Sequence, residues 1–219
     1  MKDAQMSKKD EVTGLPGYQA FVESLDGELA AAEEAGRGVS VALVDIDWFK
    51  RINDEHGKLL GDEVLRCLTE HLAATAPDNA TVFRYGGDEL VVLMPGIEKE
   101  QAFLRMEQAR SAFDKEHVFA VSGSETRLPV TVSIGIASCP EDGARSQELL
   151  RKAGDAVHRA KAAGRNRLCL AREERMVTKT SHYTQGQLQR LGKLAERESV
   201  GEAVLLREAL DDMLRKNSI

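Results

Sequence analysis

The sequence predicts an α/β domain followed by a small strand-helix-helix module, and three observations predict it. Residues 39–44, Val-Ser-Val-Ala-Leu-Val, are an apolar run of strand length that closes on Asp45-Ile46-Asp47. Residues 81–83 and 91–94 are likewise β-branched or apolar, and they flank Gly86-Gly87-Asp88-Glu89. That pattern reads as a hairpin in which the glycine pair supplies the positive φ of a tight turn. Leu149, Leu150, Ala153, Val157 and Ala160 recur at helical spacing across residues 146–163. Taken in order, strands are expected near residues 39–45, 81–85, 89–94 and 129–138. A short helix starts around Trp48 after the first strand, and the helix over 146–163 ends in the basic segment Lys161-Ala162-Ala163-Gly164-Arg165-Asn166-Arg167.

The charged residues sit where these elements end. Side chains alternate along a strand, so Asp45 and Asp47 are expected on one face, while Asp88 and Glu89 sit at the hairpin tip. If the two strand ends are neighbours, three or four carboxylates converge and repel unless a hard cation such as Mg²⁺ neutralises them, with substrate phosphates completing its shell. Each acid also has a plainer reading. One aspartate can cap the following helix, and Gly, Asp and Glu are ordinary turn residues. The basic segment suits a helix C-terminus for dipole reasons alone. Beside a carboxylate-metal centre it also suits a triphosphate, since lysine is a point charge and arginine a planar fork for phosphate oxygens.

Composition bounds the class. Of 219 residues, 30 are Lys or Arg and 36 are Asp or Glu, a net charge of −6. No apolar run approaches the roughly 18 residues of a membrane span, and the first ten residues lack the apolar core of a signal peptide. A cytoplasmic protein of bacterial type with no membrane contact is expected. Cys67, Cys139 and Cys169 are odd in number and widely spaced, which predicts packed thiols and neither a disulfide framework nor a zinc site.

The motifs, in their order, resemble one family. Asp45-Ile46-Asp47-Trp48-Phe49-Lys50-Arg51-Ile52-Asn53-Asp54, Gly61-Asp62, Arg84-Tyr85-Gly86-Gly87-Asp88-Glu89, Val132-Ser133-Ile134-Gly135-Ile136-Ala137 and Lys161 to Arg165 look like a GGDEF domain, over residues 10–170. Such domains are diguanylate cyclases of palm-like architecture, with a ferredoxin or nucleotidyl-cyclase type of sheet and flanking helices. The resemblance implies Mg²⁺, or alternatively Mn²⁺, held by Asp45, the Ile46 carbonyl, Asp88 and Glu89, with Asp88 and Glu89 at the reacting centre. It implies that Asn53 and Asp62 read the guanine edge, an amide and a carboxylate together meeting guanine's acceptors and its N1 and N2 donors. Lys161 and Arg165 would hold the β- and γ-phosphates, helped by backbone N–H groups around Phe49 and Lys50. The substrate would be GTP. Each domain would hold one molecule, so a homodimer would form the reacting pair and make cyclic di-GMP.

The chain departs from the family pattern at several points. Leu90 replaces Phe in the fifth motif position, an apolar exchange. Lys58 stands for the usual His, His158 for a frequent Tyr, and Gly17-Tyr18 for Asn-Arg in the entry motif that begins at Asp10. Many relatives carry an Arg-x-x-Asp product-inhibition site ending five residues before the glycine pair; here the window is Pro77-Asp78-Asn79-Ala80, with neither charge in place. Loss of that feedback is expected. No sensory domain is recognisable before Asp10.

Residues 171–175 read as a polar linker and residues 176–219 as a separate module. A Thr, Ser and Val-rich segment over 176–184 precedes two helical stretches, marked by Leu188, Leu191, Leu194 and Ala195 and by Val204, Leu205, Ala209, Leu210 and Met213. Ser199 between them is a candidate cap. The plan is similar to the ribbon-helix-helix DNA-binding family, whose intertwined dimers pair two strands in the major groove. By that resemblance Thr178, Thr180 and His182 would face bases while Val177, Lys179, Ser181 and Tyr183 face inward. From Arg172 onward there are nine Lys or Arg against eight Asp or Glu, a thin excess for a DNA-binding surface. A dimerising helical hairpin is the competing reading of the tail. For the whole chain, the alternatives to a GTP-specific cyclase are a DNA-binding regulator that binds nucleotide without turnover, and a cyclase of relaxed base choice.

Overall fold

A computed structural model describes residues 9–121, 123–171, 181–198 and 201–216. The chain divides into two compact units, residues 1–173 and 174–219. In the first unit the elements run α1 (Tyr18–Ala35), β1 (Val39–Ile46), α2 (Phe49–His56), α3 (Lys58–Thr75), β2 (Thr81–Gly86), β3 (Glu89–Pro95), α4 (Lys99–Phe113), β4 (Lys115–Val121), β5 (Ser124–Val130), β6 (Val132–Cys139), α5 (Ser146–Ala162) and β7 (Leu168–Leu170).

Strand β1 is the middle strand of the first unit's main sheet. The main sheet has the order β2-β3-β1-β6-β7, antiparallel except for the β6–β7 pair. Every residue of β1 is buried, as expected for a strand covered on both faces. Alternation divides its side chains between two cores. Val39, Val41 and Leu43 pack with Phe21, Leu25 and Leu29 of α1 and with Leu149, Ala153 and Val157 of α5. Ala42, Val44 and Ile46 pack on the other side with Leu65, Leu68 and Leu72 of α3 and Met106 of α4. Gly135 lets α5 lie close on β6: a Cβ there would sit 2.1 Å from the Ala153 carbonyl oxygen and 2.6 Å from the Val157 nitrogen.

The expected palm-like α/β fold is what forms, and three expectations about its parts need correction. The single strand expected over 129–138 is two strands broken at Thr131. Asp47 is bonded to the residue at the break: its N–H donates to the Thr131 carbonyl at 3.0 Å and its carboxylate accepts from the Thr131 hydroxyl at 2.8 Å. The β4–β5 hairpin has no counterpart among the expected strands, and only His117, Phe119 and Val130 are buried along it. The glycine pair does not work as expected either. Neither Gly86 nor Gly87 has a positive φ; the turn is accommodated by an irregularity around Tyr85, where the register slips between Arg84↔Leu90 and Gly86↔Glu89.

The first unit continues past Leu170, because Ala171 is buried and its N–H donates to the Ile136 carbonyl at 2.6 Å. The second unit contains α6 (Gln185–Glu198) and α7 (Glu202–Lys216), which pack on each other. Thr184 and Gln187 begin α6 as a capping box: the Gln187 N–H donates to the Thr184 hydroxyl at 3.3 Å and the Thr184 N–H to Gln187 Oε1 at 2.9 Å. Ala195 is buried in this hairpin, whereas Leu188, Leu210 and Met213 are about half exposed. Of the strand expected over 176–184, residues 176–180, with Val177, Thr178, Lys179 and Thr180, lie outside the described residues, as does Ser199. Residues 181–184, with Ser181, His182 and Tyr183, have no strand structure. Among the described residues no helix is long and apolar enough to cross a membrane.

Candidate active site

The acidic motifs meet at one end of the sheet because β3 runs antiparallel to β1. The register pairs Asp45 with Glu89, and the Ile46 N–H donates to the Asp88 carbonyl at 3.3 Å. Opposed residues project from the same face, here the face covered by α5, so two carboxylates confront each other. Like charges at such a position destabilise a sheet unless something neutralises them. Lys161, on the last turn of α5, does part of this by donating to Asp45 Oδ2 at 2.5 Å. The other oxygen, Asp45 Oδ1, is buried and has no partner.

The electrostatics record the strain. Burial pushes the Asp45 carboxyl up to about 6, with Asp88 and Glu89 adding to the rise and Lys161 opposing it. Burial, then the charge of Asp88, raises Glu89, while Lys161 and His158 pull it back. Among the described residues, no three acidic, His or Cys side chains form a ready-made metal cage. Asp47 does not join the convergence expected of it. The ordered strand ends at Ile46, and Asp47 accepts instead from the Thr131 and Ser133 hydroxyls, at 2.8 and 2.7 Å, and from the Asn166 N–H at 2.9 Å.

What remains fits a hard divalent ion. Asp45, Asp88, Glu89 and the Ile46 carbonyl would supply oxygen only, one carboxylate oxygen is orphaned, and the local negative charge is incompletely balanced. Mg²⁺ is held in this way by a few carboxylates with substrate phosphates filling the remaining positions.

The other expected residues fall into two groups. Asn53 lies inside α2 and Asp62 inside α3, so neither caps a helix. Asn53 Oδ1 is buried without a partner. Gly61 makes room for it, since a Cβ there would stand 2.0 Å from that oxygen. An unpaired amide oxygen in a half-buried place against Gly61, the residue before Asp62, can accept from a purine amino or imino group. Phe49 begins α2 and packs against the core, and Lys50 is exposed. No side chain caps α2, which leaves its first N–H groups available to an anion. Lys161 is occupied by Asp45, whereas the Arg165 guanidinium lies over the Trp48 ring at 3.7 Å from its centre.

Sequence reasoning missed two participants, Arg84 and His158, and misplaced a third, Asp47. Arg84 sits behind the hairpin tip, donating to the Gly87 carbonyl, with Nη1 buried and unpartnered. Burial lowers its pKa, and Asp10, Asp88 and Asp62 oppose that. Its place in the motif was the available signal. His158 approaches Glu89 closely enough to be felt, and Asp47 anchors the 165–166 turn. No spacing rule reveals either.

The comparisons agree with this geometry. The profile of the diguanylate cyclase GGDEF domain matches residues 7–167. The chain is 36% identical over 162 residues to the response regulator PleD of Caulobacter vibrioides, covering 74% of this chain and 36% of that one. It is equally similar to the cyclic di-GMP phosphodiesterase NbdA of Pseudomonas aeruginosa, of which 20% is covered. It is 33% identical to the diguanylate cyclase DgcZ of Escherichia coli, over 79% of this chain and 56% of the relative. The chain thus spans between a fifth and just over half of these relatives. Among solved structures, the GGDEF domain of PA1120 from Pseudomonas aeruginosa superposes with a TM-score of 0.71 at 28% identity, over 75% of this chain and 95% of that one. The GGDEF domain of DgcB from Caulobacter crescentus, in complex with c-di-GMP, gives 0.70 at 28% identity, over 79% and 97%. With the profile spanning most of the chain and the acidic hairpin tip seated against the end of β1, the protein belongs to the GGDEF diguanylate cyclase family.

Proposed function

We propose that the chain is a diguanylate cyclase that condenses two GTP into cyclic di-GMP and two pyrophosphates, acting as a homodimer. The observation that carries this reading is the opposed Asp45–Glu89 pair with its orphaned buried oxygen, an arrangement a pure nucleotide sensor does not need. Asn53 and Asp62 hold the guanine edge. The uncapped start of α2, at Phe49 and Lys50, and the cations Lys161 and Arg165 hold the phosphates. When bound at Asp45, the Ile46 carbonyl, Asp88 and Glu89, Mg²⁺ or Mn²⁺ supplies charge stabilisation at the transferring phosphoryl group and lowers the pKa of the attacking hydroxyl.

The 3′-oxygen of one GTP bonds to the α-phosphorus of the other, the bond from that phosphorus to the bridging oxygen breaks, and pyrophosphate leaves with the electron pair. Glu89, whose pKa burial has raised, is placed to take the hydroxyl proton. A second, symmetric attack closes the ring. Each domain holds one substrate, so two must face each other before either attack. Pro77 and Ala80 occupy the positions where many relatives carry the charges of a product-binding site, so product does not restrain this enzyme there.

The full chain incubated with GTP, ATP and Mg²⁺, its products resolved by mass spectrometry, tests the reading. Cyclic di-GMP is expected from the wild type and not from Asp88→Ala, with progress curves that do not slow as micromolar product accumulates. No product from the wild type would favour the sensor reading, and an adenine-containing dinucleotide would favour relaxed base choice.

A further inference from the structure

Trp48 is the only tryptophan of the chain, and it is 59% exposed at the edge of the site. Its backbone is left-handed, with φ 60°, a region that bulky residues rarely enter. The residue stacked on it, Arg165, is also left-handed, at φ 63°, and Asn166 follows at φ 45°. Such strain persists only where the surroundings impose it. Here Asp47 imposes it from one side. Its carboxylate is tied to Thr131 and Ser133 on the sheet and accepts from the Asn166 N–H at 2.9 Å. Asn166 is tied from the other side, accepting from Arg110 at 2.5 Å and donating to Asp114 at 2.7 Å. The turn that carries Arg165 is therefore bolted to the residue preceding Trp48.

The result is a guanidinium set on an indole. Among the described residues no carboxylate is within ion-pair distance of Arg165, whereas the neighbouring cation Lys161 is already bonded to Asp45. Trp48 is also the N-cap residue of α2, whose start has no side-chain cap and bears the positive end of the helix dipole. A cation placed there without an acidic partner is complementary to an anion that both can reach. The indole face stabilises the cation while leaving all its N–H donors free for phosphate oxygens, which a carboxylate partner would not.

We propose that Trp48 is a positioning residue for the triphosphate: it serves as the platform that presents Arg165 to the terminal phosphates of the substrate. The proposal rests on the GTP reading of the site and names which of its two cations is preset for phosphate.

The test is calorimetric titration of the full chain with 3′-deoxy-GTP, which lacks the attacking hydroxyl, and with GMP, both in Mg²⁺. Trp48→Leu keeps apolar bulk and removes the π face; Trp48→Tyr restores a face. From the size of exposed cation–π contacts, Trp48→Leu is expected to weaken the triphosphate about two- to fivefold, leave GMP unchanged, and be largely rescued in Trp48→Tyr. In the wild type, the emission of the single tryptophan is expected to change on adding the triphosphate and not on adding GMP. A Trp48→Leu chain that binds the triphosphate as the wild type does overturns the inference alone. Equal loss of triphosphate and GMP also overturns it, since the damage would then lie in the fold or the base pocket. A wild type that binds neither nucleotide overturns the GTP reading and the inference with it.

Discussion

Asp45 and Asp47 share one expected face by alternation, yet they do opposite things, and the reason is local. Alternation holds only while the strand lasts. Once β1 ends at Ile46, Asp47 is free to turn toward Thr131, Ser133 and the Asn166 N–H, and three donors hold its carboxyl group in a structural role. Asp45 stays on the sheet with one oxygen unpartnered. A prediction follows from its carboxyl standing near 6 against an unfolded value of 3.8. Because the folded state holds the proton more tightly, the stabilising contribution is full below about pH 3.8 and is lost as pH rises through about 6, roughly 1–3 kcal/mol. In EDTA, the melting temperature of the wild type should therefore fall relative to Asp45→Asn between pH 4 and pH 7. Mg²⁺ added at pH 7 should restore the wild type more than the variant. A gap between the two that stays flat with pH would show that Asp45 is not held in its neutral form by burial. The acids themselves were legible in the sequence because each lies at the end of an apolar strand; which of Asp45 and Asp47 keeps an unpartnered oxygen was not, since that depends on a strand end and on hydroxyls more than eighty residues away.

At the scale of elements, legibility followed burial. Strands β1, β3 and β6 are almost wholly buried and read as apolar runs. The β4–β5 hairpin buries only a few side chains and is rich in polar residues, so its pattern is too weak to announce a strand pair. Helix α5 was legible from its apolar spacing, but its intimacy with the sheet was not. Gly135 permits that intimacy, and α5 carries Lys161 before the turn that bears Arg165. Gly135→Ala would drive a methyl into the Ala153 carbonyl and the Val157 nitrogen, which are backbone atoms that cannot rotate away. Overpacking of this kind costs about 1–3 kcal/mol, a loss of about 2–4 °C in Tm for each kcal/mol in a domain of this size. Because the helix must lift, the activity measured well below that Tm should fall as well. By contrast Gly154→Ala, inside α5 and with a Cβ that would meet nothing within 4 Å, should leave activity unchanged and raise Tm slightly, since alanine favours a helix interior over glycine. Equal behaviour of the two variants would mean that the sheet yields and α5 does not move.

For the whole molecule, the question is what brings two half-sites together. The proposed reaction requires two domains, and each chain also carries the α6–α7 hairpin, in which Leu188, Leu210 and Met213 remain about half exposed after the two helices have packed. A pair of helices this small seldom buries its apolar faces alone, and a second copy of the same hairpin offers matching apolar surface. Its charge, nine basic against eight acidic residues from Arg172 onward, gives DNA phosphates little to hold. Tail pairing would place one cyclase domain near the other at an effective concentration of about millimolar for a short flexible connection. The chain shortened to end at Glu173, where the first compact unit closes, separates this role from catalysis. Its specific activity should rise with protein concentration while that of the full chain stays flat, and light scattering should find the shortened chain monomeric where the full chain is dimeric. If both chains dimerise alike, the cyclase domains associate without the tail. The hairpin would then have to be tested against other partners, beginning with duplex DNA at low salt, where even a small basic excess gives measurable binding.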